Sequence, residues 1–463
     1  MVYSDRQFFL ESNYLETNRF LDNFKNNIMK YTKKFFLFFL SIGLFFNAFA
    51  QKKEAVKEFN FGANSDKKSG ITINKAIGYT DETGYGFDLD SDKNVTFDKK
   101  SISAKTPFYF SIKLPEGNYS VEVVLGGNNS GITTVNAESR RLMLREIKTA
   151  AKETKTERFV VNVRTAKFDT NNSIRLKPGE ISGLNWDNKL TLEFLGSPII
   201  QSIKITAVSK IKTLFIAGDS TVTDQDLEPW ASWGQFFPNY LTPDVVVANY
   251  ACSGLALSSF KSGNRLEKIL HLMQPGDYLF IEFGHNDEKA KGEGKGAWGE
   301  YTTLLKEYVT RTKAKGGIPV LITPTQRRRF NDNGTLQPTH GEFPDAMRKV
   351  AQEMKVPLID VTNMTTAMYE SWGDELSKKA FVFYPANTFP GQTKALADNT
   401  HFGSFGANEI AKCVVQGIRD LGLDIAKNIK TTVPNYDPKK PSQPSDWTVP
   451  KSVRFETTKP DGN

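Results

Sequence analysis

The stretch "TLFIAGDSTVTDQ", Thr213 to Gln225, decides how the chain is read. Leu214, Phe215, Ile216 and Ala217 suit a strand covered on both faces, as in a parallel sheet. The apolar run then stops at Gly218, Asp219 and Ser220. Glycine frees the backbone for a sharp turn. A serine at the carboxyl end of a parallel strand lies where open α/β sheets hold their ligands. The same residues also suit an ordinary strand-ending turn or a helix cap, so the rest of the chain has to decide.

From Ile211 onward, further apolar strands alternate with helical stretches: "DVVVANY", "DYLFIEFG", "IPVLITP" and "VPLIDV". Residues 298–315 read as a helix stopped by Gly316 and Gly317. After His401, Ala407, Ile410, Ala411, Val414, Val415, Ile418 and Leu421 recur at helical spacing, which predicts one buried helix face. This alternation predicts a three-layer α/β/α domain over residues 211–428. Residues 54–208 read differently, as short alternating strands and turns without long helical periodicity. That pattern predicts a β-sandwich. Within it, "TPFYFSIKLPEGNYSVEVVLGG" is expected to form a hairpin. Residues 429–463, rich in proline, lysine and serine, are expected to run extended over the surface or disordered.

Residues 29–50 carry a basic head, an almost wholly apolar run and the small-x-small sequence Ala48-Phe49-Ala50, the pattern of a secretory signal peptide. Residues 1–28 then read as a non-native extension ahead of a true start at Met29. The expected product is secreted or periplasmic, with no stable membrane span once the signal is removed. The net charge is +8, of which residues 1–50, with six basic and four acidic groups, hold +2. Such a modest excess argues against nucleic-acid binding and favours an acidic substrate. The two cysteines, Cys252 and Cys413, exclude a disulfide scaffold and a cysteine zinc site. They read as buried thiols or as one bridge. No cofactor and no metal are expected, and the oligomeric state is not readable.

Three more segments fall at predicted strand ends or helix starts: "NYACSGLALSSF" with Gly254, "FGHND" with Asn286, and "DNTHFGSFGANEI" with Asp398 and His401. Free Ser220 is a poor nucleophile and needs an adjacent base. Histidine titrates in the useful range, and a carboxylate three residues earlier suits the role of orienting its ring. Backbone amides at Ser220 and Gly254, with the Asn286 side chain, suit an oxyanion site. His285 is a rival base, but its adjacency to Asn286 places the two on opposite faces if the strand continues. His271 and His340 read as surface or packing groups. Asp219 and Asp287 read as loop braces, and Asp398 alone also suits a helix-entry carboxylate.

These four blocks resemble the GDSL or SGNH hydrolase superfamily, and most of all its rhamnogalacturonan acetylesterase branch of carbohydrate esterases. That branch also shows Gly-Asp-Ser-Thr, Gly-His-Asn-Asp and Asp-x-x-His. The resemblance covers about Thr213 to Leu423, less than half of the chain. It implies a flavodoxin-like catalytic domain with Ser220, Asp398 and His401 as triad and Ser220, Gly254 and Asn286 as oxyanion hole. The segment before it, with "FNFGANS" near its start, looks like the galactose-binding-like jelly-roll modules attached to carbohydrate enzymes. The expected substrate is an acetylated, acidic polysaccharide such as rhamnogalacturonan. Arg327, Arg328, Arg329 and Trp230 are candidate substrate contacts at the same sheet edge, against a solvated loop for the arginines and rim packing for Trp230 and its neighbour Trp233. An acetylxylan or other carbohydrate esterase, a lipase-like esterase, and a non-catalytic glycan-binding protein are the competing readings.

Overall fold

The computed structural model describes residues 56–63 and 69–461. Residues 29–50, read above as a signal peptide, and residues 1–28 lie outside the described residues. Among the described residues, no helix is long and apolar enough to cross a membrane.

Five parallel strands form one sheet in the spatial order Val245–Asn249, Lys212–Gly218, Tyr278–Glu282, Ile318–Ile322 and Leu358–Ile359. Numbered along the chain, the order is 2-1-3-4-5, the flavodoxin-like arrangement, with ligands expected at the carboxyl edge. Side-chain alternation along the central strand divides two cores. Leu214 and Ile216 join Val247, Phe280, Val320 and the helix Ser404–Asp420 on one face. Phe215 and Ala217 join Leu279, Ile281 and the helices Arg265–Leu272, Thr302–Ala314 and Phe343–Met354 on the other. Each strand is buried on both faces, which explains its nearly unbroken apolar composition. The predicted buried face of helix Ser404–Asp420 holds, except that Leu421 lies past its end and is 40% exposed.

Residues 56–207 fold as a seven-stranded and a five-stranded sheet around one phenylalanine-rich core. The strands pair antiparallel apart from Val56–Phe61 beside Ile71–Ile73, and one isolated parallel bridge joins Gly78 to Phe87. The expected hairpin is not one. Phe108–Lys113 belongs to the five-stranded sheet and Gly117–Gly126 to the seven-stranded sheet, so the turn at Pro115 and Glu116 crosses between sheets. Alternation reports that one face of each strand is buried; it does not identify the partner strand.

Arginines of this two-sheet unit reach into the α/β part. Arg141 and Arg164 both pair with Asp224 at 3.3 Å, and Arg140 pairs with Glu228 at 2.5 Å, all five side chains being buried. Arg140 also donates to the Trp230 carbonyl at 2.8 Å. The loop that follows Ser220 is therefore held from the other half of the chain.

Residues 429–461 run extended, with a short helical turn at Pro444–Asp446, and are tied down along their length. The Ser442 amide donates to Glu409 at 3.1 Å, Arg454 pairs with Asp226 at 2.6 Å, and Trp230 Nε1 donates to the Glu456 carbonyl at 3.0 Å. Cys252 and Cys413 are separate buried thiols, not a bridge.

Candidate active site

Gly218 ends the central strand because nothing larger fits. A Cβ there would lie 2.6 Å from Val222 Cγ2 and 3.0 Å from the Glu282 carbonyl. Asp219 then shapes the turn. Its Oδ1 accepts from the Thr221 amide and hydroxyl, both at 2.9 Å, and its carbonyl accepts from the Thr223 amide at 3.0 Å. Between them, the Ser220 carbonyl accepts from Ser232 Oγ at 2.5 Å and Gln225 Nε2 at 3.0 Å. The turn and the nucleophile candidate are thus one structure, which answers the question raised by Gly-Asp-Ser-Thr.

Asp398 and His401 lie on the strand Leu396–Phe402, paired with Phe381–Tyr384 just before helix Ser404–Asp420. Asp398 Oδ1 accepts from the amides of Thr400 at 2.7 Å and His401 at 2.9 Å, and its Oδ2 lies 2.9 Å from His401 Nδ1. An ionised carboxylate only accepts, so Nδ1 carries the ring hydrogen and Nε2 is left as acceptor. That Nε2 lies 3.0 Å from Ser220 Oγ. Burial would raise the Asp398 carboxyl, but the hydrogen bonds from His401 outweigh it and hold it well below the usual carboxylate range. Ser220, Asp398 and His401, separated by up to 181 positions, meet in one buried chain of hydrogen bonds.

Gly254 follows the second strand in a left-handed conformation, with φ +76°. Asn286 follows the third strand, half-buried. Its Nδ2 donates to the Leu255 carbonyl at 3.1 Å, and its Oδ1 accepts from Lys289 at 3.1 Å.

His285 is buried beside Asp219 at 3.7 Å and the His340 ring at 4.4 Å, and burial keeps it well below its usual pKa. His340, expected at the surface or in packing, is instead a buried hub between Glu288 at 2.9 Å and the Thr325 carbonyl at 2.8 Å. His271 is exposed. Asp287 accepts from the Leu257 amide at 3.0 Å, a brace as expected.

The arginine run does not form a shared cationic face. Arg327 is spent on Glu288 at 2.6 Å. Arg328 is buried against Asp374 and Asn399, leaving Arg329 exposed. The extended segment alternates side-chain direction, so three adjacent arginines cannot present one surface. Trp230 sets its ring edge-on to His401 at 5.7 Å, and Trp233 is core, donating to buried Glu282 at 2.7 Å. Two neighbours of the cluster have no motif to mark them: Lys459, 3.2 Å from Asp398 Oδ2, and Lys177, bonded to the Ser253 carbonyl at 2.6 Å.

A family model described as the GDSL-like Lipase/Acylhydrolase family matches residues 216–387. The chain is 41% identical over 218 residues to the rhamnogalacturonan acetylesterase RhgT of Bacillus subtilis (strain 168), an alignment covering 47% of this chain and 93% of the relative. It is 35% identical over 223 residues to the probable rhamnogalacturonan acetylesterase YesY of the same organism, covering 47% and 96%. Each alignment leaves more than half of this chain uncovered. The crystal structure of the Bacillus subtilis protein YxiM is similar at 24% identity and a TM-score of 0.44, over 80% of this chain and 99% of that one. The chain belongs to the GDSL/SGNH superfamily of carboxylic ester hydrolases, in its rhamnogalacturonan acetylesterase branch.

Proposed function

We propose that the protein is an exported carbohydrate O-acetylesterase that removes acetyl groups from rhamnogalacturonan through an acyl-serine intermediate. One observation carries this reading: Ser220 Oγ, His401 and Asp398 stand in line at 3.0 and 2.9 Å. His401 Nε2 takes the Ser220 proton as Oγ attacks the acetyl carbonyl. Asp398 holds the ring tautomer and stabilises the imidazolium. The amides of Ser220 and Gly254, with Asn286 Nδ2, receive the oxyanion. As the tetrahedral intermediate collapses and the bond from the acetyl carbon to the sugar oxygen breaks, His401 gives the proton to that oxygen, which leaves as the sugar hydroxyl. Water, activated by the same imidazole, then releases acetate from Ser220.

The choice of sugar is supported by the named relatives. Export is supported by the sequence pattern of residues 29–50. We read residues 54–208 as a jelly-roll module, 211–428 as the catalytic domain and 429–463 as a tail that straps the two together. Acetate release from acetylated rhamnogalacturonan, xylan and mannan tests the assignment. Fastest release from rhamnogalacturonan is expected; faster release from xylan would make the protein an acetylxylan esterase, and no ester hydrolysis at all would leave a glycan-binding protein.

A further inference from the structure

A cavity of about 380 Å³ lies beside the serine cluster, inside the range of about 300–1,000 Å³ usual for small-molecule sites. Three remote stretches wall it: residues 177–186, the loop after Ser220 with Ser253, and the tail at 456–461. Its wall at Ser253 leads into Gly254, which packs against Asp461 and Lys177 of that wall. A Cβ placed on Gly254 would lie 2.9 Å from both Asp461 Cβ and Lys177 Nζ.

Most charges on its walls are already committed. Asp224 is paired with Arg164, Asp226 with Arg454, and Glu180 with Arg265. Lys177 is different. Its ammonium anchors on the Ser253 carbonyl at 2.6 Å and then meets only an exposed carboxylate, Asp461 at 3.1 Å, whose side chain is 71% accessible. Trp186, which is half-buried, lines the same cavity, and nearly buried Trp230 closes it on the His401 side. A cation beside a tryptophan, anchored on the residue before Gly254, suits a sugar ring bearing a carboxylate.

We propose that this cavity is a subsite for a uronate residue flanking the acetylated sugar, with Lys177 as its carboxylate partner. Asp461 holds the position on Lys177 that the sugar carboxylate would take, so the two compete. The proposal rests on the carbohydrate-esterase reading of Ser220 and adds where the acidity of the polymer is recognised.

Trigalacturonate and xylotriose, assayed as competitive inhibitors of p-nitrophenyl acetate hydrolysis by the full chain, provide the test. Trigalacturonate should inhibit more strongly. Lys177→Gln should raise its Ki about tenfold, the effect of losing one charge-assisted hydrogen bond. Asp461→Asn should lower that Ki by removing the competing carboxylate, and this exposed position keeps the test decisive if the Lys177 variant folds poorly. Equal inhibition by both sugars, or a trigalacturonate Ki unmoved by either substitution, overturns the proposal. The polymer takes no part in the assay. Acetate release from rhamnogalacturonan without these Ki shifts therefore removes the subsite alone, and Ki shifts without acetate release remove that substrate alone.

Discussion

Lys459 Nζ lies 3.2 Å from Asp398 Oδ2, the same oxygen that meets His401 Nδ1 at 2.9 Å. The last residues of the tail thus touch the carboxylate that orients the base. A cation there competes with the imidazole for that carboxylate oxygen. Lys459→Met should change kcat/KM on p-nitrophenyl acetate by no more than about fivefold, the worth of an exposed ion pair. The side chain is 46% exposed, so the difference should shrink at high salt. A larger loss that salt leaves untouched would mean that the contact acts by packing and not by charge.

Asn286→Ala should lower kcat on p-nitrophenyl acetate by on the order of 10²–10³ with little change in KM, as expected for one oxyanion donor. A change confined to KM would make Asn286 a substrate-binding group instead.

Asp224→Ala should destabilise the protein by about 3–5 kcal/mol, because it leaves Arg141 and Arg164 buried without their carboxylate. Burial, and next the neighbouring Arg164, already lower the Arg141 guanidinium to about 10. Urea unfolding measures this. A loss under about 1 kcal/mol, the worth of an exposed pair, would show that the two halves of the chain do not depend on this contact.

Asp287 is pushed up to about 7, mainly by burial. Its folded pKa lies above the unfolded value, so its contribution to stability is full below about 4 and lost as pH rises through about 7. Asp287→Asn should therefore gain stability relative to wild type between about pH 4 and 8, by on the order of 1 kcal/mol or more. A stability difference that does not change with pH would contradict the shift.

The five parallel strands were legible because each is apolar on both faces and ends in a chemically distinct block. Gly218, Gly254 and Asn286 could be placed from those ends, and the Asp398–His401 pair from its place just before the helix Ser404–Asp420. The partners of Lys177 and Lys459 could not be placed. Contacts such as Lys177 with Asp461, 284 residues apart, depend on how separate units pack, and no local period encodes that. The partners of the arginine run were unreadable for a related reason: charge density in sequence says nothing about which guanidinium meets a carboxylate and which stays exposed. The Phe108–Lys113 and Gly117–Gly126 strands show the same limit, since alternation cannot tell a hairpin from a crossing between sheets.

Ser220 Oγ is the attacking atom of the proposed reaction. Its most direct measurement is acetate release from acetylated rhamnogalacturonan by wild type and by Ser220→Ala, with circular dichroism confirming equal folding. Release by the wild type is expected, with a loss of at least about 10⁴-fold in the variant, since His401 would have no nucleophile to activate. Release by a folded Ser220→Ala protein within tenfold of the wild-type rate would contradict it.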